Sequence, residues 1–132
     1  MDELTIDKEA EELVRGVAAA LTAPGGNGEC LVCFVARMLD DFGCDTTLRF
    51  AKHYRDLRAP RATALEPRLG RMGGFCDCEI FLNGMSLAER HLERDETGEA
   101  RGPERLPVCA GVRRGSTKGC ANWVRQGRYG GW

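Results

Sequence analysis

The stretch Gly73-Gly74-Phe75-Cys76-Asp77-Cys78-Glu79-Ile80-Phe81-Leu82-Asn83-Gly84 decides how this chain is read. Aromatic and aliphatic residues fill its middle, glycines bound it and Asn83-Gly84 is a turn signal, so residues 75–82 are expected to form a strand. Side chains alternate along a strand, which places Cys76 and Cys78 on one face and Asp77 and Glu79 on the other. Both thiols can then approach one ion. The two acids become the wet face of an antiparallel edge strand, with a paired-carboxylate site as the alternative.

Working outward, a second close pair stands upstream in Glu29-Cys30-Leu31-Val32-Cys33. A C-x2-C followed at a distance by another close pair is how a small domain gathers four thiolates around zinc. The expected ligands are therefore Cys30, Cys33, Cys76 and Cys78. Leu31, Phe34, Val35, Met38, Leu39 and Phe42 make one apolar stripe that Gly43 ends, so a helix begins near Cys30. Its N-terminal N–H groups favour negative charge and hence the thiolate a metal requires. A closed four-thiolate site is structural, and its ion contributes on the order of 10 kcal/mol to folding in small zinc domains. The plainer alternative is four buried cysteines acting as small hydrophobes, which gives no reason for two close pairs.

Seven cysteines are present in all. Cys44 is a reserve ligand, or a thiol buried at a helix junction. Cys109 and Cys120 are also reserves: they can hold a second ion with Cys44 or a histidine, form a labile disulfide, or simply pack. The odd count and an acidic N-terminus unlike a secretory signal point to a reducing, cytoplasmic setting, where such spacings hold metal or carry redox chemistry. His53, among Arg49, Lys52 and Asp56, is expected to be solvated, and His91 to sit at the edge of the core.

The chain has 132 residues, 7% aromatic and 30% charged, with 17 glycines, a composition that gives a thin core and benefits from a cross-link. A first amphipathic helix is expected from Asp7 to Leu21, ended by Pro24-Gly25-Gly26. Asp45 or Thr46 caps another that buries Phe50, Ala51, Tyr54 and Leu57, and Pro67 opens a short one closed by Gly73-Gly74. Ser86-Leu87-Ala88-Glu89 reads as a capping box opening a helix through about Arg94. The fold class is α+β: a mostly helical, cysteine-rich, zinc-stabilised single domain with a small antiparallel sheet. Residues 1–100 form its body and residues 101–132 a basic, cysteine-containing tail.

Charge is unevenly spread. Residues 1–45 hold ten carboxylates against three basic side chains, whereas residues 101–132 hold seven basic groups against one glutamate. Opposite ends can attract each other within the molecule. Alternatively Arg113, Arg114, Lys118, Arg125 and Arg128, interleaved with Trp123, Tyr129 and Trp132, can bind nucleic acid through phosphates and base stacking. No catalytic signature or nucleotide-binding loop is present, and the Ala18–Leu21 stretch is too short for a membrane span.

Residues 29–85, and above all Gly73-Gly74-Phe75-Cys76-Asp77-Cys78-Glu79, resemble the bacterial family called domain of unknown function 2695. The resemblance implies a small, metal-binding module and supplies no activity or catalytic residues. Family members often carry a histidine after the Cys-Asp that here is Cys44-Asp45; Thr46 stands in that place, so the resemblance implies a different ligand set, with Cys109 or Cys120 as substitutes. The functional expectation is a structural-zinc interaction module for an unidentified protein partner, without catalysis. A thiol redox protein using Cys30 and Cys33 and a nucleic-acid-binding tail are the alternatives.

Overall fold

The computed structural model describes residues 28–126, so the helix expected from Asp7 and the last residues of the basic tail lie outside the described residues. Helix α1, Leu31–Phe42, forms where the apolar stripe predicts it. Cys30 is its N-cap, accepting the Cys33 N–H on its own sulfur at 3.2 Å, and Gly43 ends it at φ 75° with its N–H on Leu39 O. Leu31, Phe34, Val35 and Met38 are fully buried along one side. Helix α2, Arg49–Arg58, buries Phe50, Ala51 and Tyr54 against it, and α3, Leu65–Arg71, adds Leu65 and Leu69 with Pro67 in its first turn.

Residues 75–82 are not a strand. They form a single helical turn, α4, Asp77–Glu79, which widens into a π-helical turn over Ile80–Gly84. Burial explains the difference. Asp77 and Ile80 are fully buried and Cys76 nearly so, whereas Phe75 and Leu82 are each 69% exposed. A strand would bury every second residue, yet the inward positions here fall at 77, 80 and 84, the helical interval. Asp77 faces the core rather than water.

The strands lie later in the chain. β1, Met85–Leu87, pairs antiparallel with β4, Trp123–Arg125, in the register Met85 with Arg125 and Leu87 with Trp123. β2, Glu93–Arg94, pairs with β3, Ala100–Arg101. The helix expected from Ser86 to Arg94 is therefore replaced by β1, one 3-10 turn at Glu89–His91, and β2. Ser86 is drawn into pairing with Val124, and Glu89 bonds Arg94 at 2.7 Å instead of returning to a cap. With four helices and two small antiparallel sheets among the described residues, the class is α+β, as the sequence predicts.

One core joins α1, α2, α3, the π-helical turn, β1 and β4. Phe34, Tyr54, Leu65, Ile80, Met85, Cys120 and Trp123 belong to it, so the segment carrying Cys120 and Trp123 packs on α1. Trp123 stacks obliquely on Phe81 with centroids 5.4 Å apart. No helix among the described residues is long and apolar enough to cross a membrane.

Candidate metal centres

The sequence puts Cys30, Cys33, Cys76 and Cys78 in one site with Cys44, Cys109 and Cys120 in reserve; the fold sorts all seven into two groups. Cys30, Cys33, Cys109 and Cys120 bring their sulfurs within 4.8 Å of one another, and Cys44, Cys76 and Cys78 do the same elsewhere. The two close pairs thus stay intact but do not meet. Cys30 with Cys33 is completed by the reserve ligands Cys109 and Cys120, and Cys76 with Cys78 by the reserve ligand Cys44. The reason is the helical turn at residues 77–84, which seats Cys76 and Cys78 by the loop between α1 and α2 rather than at the start of α1. All seven cysteines are free thiols.

Three chain segments build the first centre. The N-terminus of α1 supplies Cys30 and Cys33; the loop after Pro107 supplies Cys109; the approach to β4 supplies Cys120. Backbone bonds align these segments: Val112 N–H donates to Gly28 O at 2.9 Å, and Tyr54 Oη donates to Glu29 O at 2.6 Å beside Cys30. Cys33 Sγ and Cys120 Sγ are 3.8 Å apart. Four sulfurs about 2.3 Å from a tetrahedral zinc would be separated by about 3.8 Å, so this spacing fits the ion.

Donors surround these sulfurs. Cys33 N–H points at Cys30 Sγ, Cys30 N–H at Cys109 Sγ, Gly111 N–H at Cys109 Sγ and Trp123 Nε1–H at Cys33 Sγ, all between 3.2 and 3.3 Å. Such bonds stabilise thiolates and fix ligand orientation. The Cys33 side chain, followed by backbone donors, holds the Cys30 thiol down to about 6 despite burial. Cys33 shifts the opposite way, raised chiefly by its bond with Cys30 and then by burial, and burial raises Cys109. A divalent cation suits such a group, because it replaces the thiol protons and offsets the repulsion among thiolates.

The second centre is shallower. Cys76 is buried, Cys78 half-buried and Cys44 exposed rather than hidden at a helix junction. Cys76 Sγ and Cys78 Sγ lie 3.2 Å apart, and Thr46 N–H donates to Cys44 Sγ at 3.4 Å. Thr46 adopts φ 69°, a conformation a β-branched residue seldom takes, in the turn that carries Cys44. What burial Cys44 has pushes its thiol up, but bonds from Cys78, Thr46 and Cys76 outweigh it and hold the group below its usual value. Bonds to Cys44 and then Cys76 push Cys78 up to about 12.

Asp77, between those cysteines, has a role the sequence did not disclose. Its Oδ2 accepts Phe50 N–H at 2.8 Å and its Oδ1 accepts Ala51 N–H at 3.1 Å, while its own N–H bonds Thr47 O. It caps α2 from 26 residues away, a helix whose N-cap, Leu48, has no side-chain bond. Burial raises its carboxyl above the usual range, opposed by those two N–H donors. Cys-Asp-Cys therefore sends thiols to one centre and a carboxylate to the adjoining helix. The cap expected at Asp45 or Thr46 is not used, because the helix starts at Arg49 with Leu48 at its N-cap, and Asp77 takes over the role. Glu79 is half-buried near Asn83 Nδ2, and no carboxylate pair forms with Asp77.

Neither histidine joins a centre. His53 is half-buried with its ring 6.3 Å from Phe34, and His91 Nε2 bonds Asn122 Oδ1 at 3.0 Å at the core edge. Trp123, an aromatic of the nucleic-acid reading, is buried with its Nε1–H on Cys33.

These features define a cysteine-rich α+β protein with two thiol clusters able to hold metal. The chain belongs to the family described as protein of unknown function (DUF2695), whose model matches residues 31–83. It is 34% identical over 76 residues to uncharacterized protein Rv2271 of Mycobacterium tuberculosis and, equally, to uncharacterized protein Mb2294 of Mycobacterium bovis, covering 58% of this chain and 75% of each relative. No solved structure matches the chain significantly.

Proposed function

We propose that this protein is a zinc-binding interaction module, without catalysis, whose Cys30–Cys33–Cys109–Cys120 centre holds one structural zinc. The observation that carries the reading is the convergence of four sulfurs from three segments within 4.8 Å of one another, Cys33 and Cys120 at 3.8 Å, with N–H groups aimed at them. Zinc suits four thiolates in a closed site, where it needs no open coordination position and supplies folding energy. Cys30, Cys33, Cys109 and Cys120 would hold the ion. Trp123 and the N–H groups of Cys30, Cys33 and Gly111 would set the orientation of its ligands.

The interaction role draws on the surface around this scaffold. Leu82 is 69% exposed and Val108 91% exposed, flanking a groove that also includes Leu106, Pro107 and Phe81. Apolar side chains held outward by a rigid, cross-linked frame are what a protein partner engages.

Elemental analysis of untagged protein tests the zinc. We expect at least one zinc per chain that resists a weak chelator, and loss of that ion in Cys33→Ser and Cys120→Ser. Reduced, metal-free protein with an unchanged melting temperature would overturn the reading. The redox alternative draws on the lowered Cys30 thiol beside Cys33. It predicts reversible Cys30–Cys33 oxidation in zinc-loaded protein, whereas a closed zinc site predicts that both thiols resist oxidation until the ion leaves.

A further inference from the structure

We infer that Cys44, Cys76 and Cys78 form a second metal site, one that holds a thiophilic d10 cation through three thiolates and leaves the remaining coordination position open to solvent. The inference is separate from the structural zinc proposed above, because the two groups share no ligand.

Three observations carry it. The sulfurs of residues distant in sequence meet within 4.8 Å, one from the loop after α1 and two from the turn that opens α4. The apparatus that sets them there is specific: Asp77, lodged between Cys76 and Cys78, is clamped by Phe50 N–H, Ala51 N–H and Thr47 O, so the two cysteines are registered against the loop that presents Cys44. Burial is graded across the group, with Cys76 inside, Cys78 at the margin and Cys44 in solvent. A site with one wet wall and an exposed ligand contrasts with the first centre, where Cys30, Cys33 and Cys120 are buried and Cys109 is half-buried.

Among the described residues no fourth cysteine, histidine or carboxylate joins the group. The nearby Asp45 carboxylate is committed elsewhere, its Oδ1 to Thr47 N–H and Oγ1–H and its Oδ2 to Arg49 at 3.7 Å. Among the described residues neither histidine lies in the group. Three thiolates with an open position match Zn2+ completed by water, and also suit softer d10 ions that accept three sulfurs. Loading Zn2+ forms three S–Zn bonds and releases one proton from each thiol still protonated; the ion's charge is met by the thiolates, and no electron moves. The open position makes this ion the exchangeable one, and it gives an incoming ligand, a small thiol or a side chain of another protein, a place to bind without dismantling the site.

The test uses the full chain loaded with Zn2+ under reducing conditions and a colorimetric chelator. Two zinc equivalents are expected, one released at least tenfold faster than the other. Cys44→Ser and Cys78→Ser should abolish the fast equivalent and keep the slow one, whereas Cys33→Ser should abolish the slow one. A fast equivalent that survives both Cys44→Ser and Cys78→Ser, or wild-type protein that takes up no more than one ion and keeps it in those variants, overturns the second site. Loss of the slow equivalent alone in wild type counts instead against the structural zinc. Alkylation of Cys44 in wild-type protein that retains the slow equivalent, compared with and without the fast one, supplies a measurement on a chain whose fold is held constant. Zinc should slow its labelling at least tenfold, and equal rates with and without zinc would overturn the site.

Discussion

Asp77 shows how much one buried carboxylate can organise. It satisfies two N–H groups at the start of α2 that no local side chain reaches. Asp77→Ala leaves both unpaired in the interior and should cost about 1–3 kcal/mol, read from the urea midpoint. Asp77→Asn, whose carbonyl oxygen still accepts, should cost less. Gly28 illustrates the same economy in the backbone. It sits at φ 87°, and a Cβ there would stand 2.6 Å from Val112 O. Gly28→Ala should destabilise by more than about 1 kcal/mol and speed zinc loss from the first centre, since Gly28 O and Val112 N hold Cys109 toward Cys30.

Tyr54 adds a pH dependence. Burial pushes its hydroxyl up to about 12, while the unfolded chain ionises near 10. The folded state therefore binds more protons between those values, so stability is full below pH 10 and falls as pH rises through about 10 to 12. Tyr54→Phe should lose about 1 kcal/mol at neutral pH by giving up the bond to Glu29 O, and should flatten the alkaline decline relative to wild type. Thermal melts of both proteins from pH 8 to 11 measure the difference.

At the scale of elements, helices with a broad apolar stripe were legible. α1 begins with Cys30 and stops at Gly43 as its spacing requires, and α2 buries Phe50, Ala51 and Tyr54, though Leu57 is 51% exposed because the helix turns that residue past the edge of its contact. Among the short segments, α3 was legible through Pro67 and Gly73-Gly74, but two others were not. Phe75 to Leu82 has strand-like composition, but no strand pairs with it, and a helical turn lets Asp77 reach α2 and Ile80 reach the core. Ser86 to Glu89 has the letters of a capping box, but pairing with β4 takes the backbone first. Tertiary partners decide such cases, and local spacing does not contain them.

The same limit governed the candidate ligands. Spacing correctly kept Cys30 beside Cys33 and Cys76 beside Cys78, because each pair is local. Which pairs share an ion depends on contacts such as Cys30 with Cys109, 79 residues apart, and Cys33 with Cys120, 87 apart. The segment from residue 102 to 119 has no helix or strand and is fastened at few points, among them Arg68 to Thr117 O and Asn122 to Val108 O. Chelation should free it. Trypsin is expected to cut first at Arg105, Arg113, Arg114 or Lys118 after metal removal, and far more slowly in zinc-loaded protein, as mass mapping of the fragments will show.

For the molecule as a whole, the proposed zinc would act as a long-range clip on a thin core. A link joining residues some 80 apart removes about 4–5 kcal/mol of chain entropy from the unfolded state if it behaves like a disulfide of that loop size. Stripping zinc from the first centre should therefore lower the melting temperature by at least about 10 °C, measured by circular dichroism with and without a strong chelator. Stripping only the exchangeable ion should change it far less.

The placement of Cys120 well after Cys78 in the sequence also sets an order of birth. The last ligand of the Cys44 group, Cys78, leaves the ribosome well before Cys120, by roughly 2 to 8 s at ordinary rates of synthesis. During that interval the Cys30–Cys33 pair and the Cys44 group exist as thiols without Cys120, and for most of it without Cys109. A nascent chain thus meets the cell's metal supply with its shallow, exchangeable ligands complete and its permanent seat still half built.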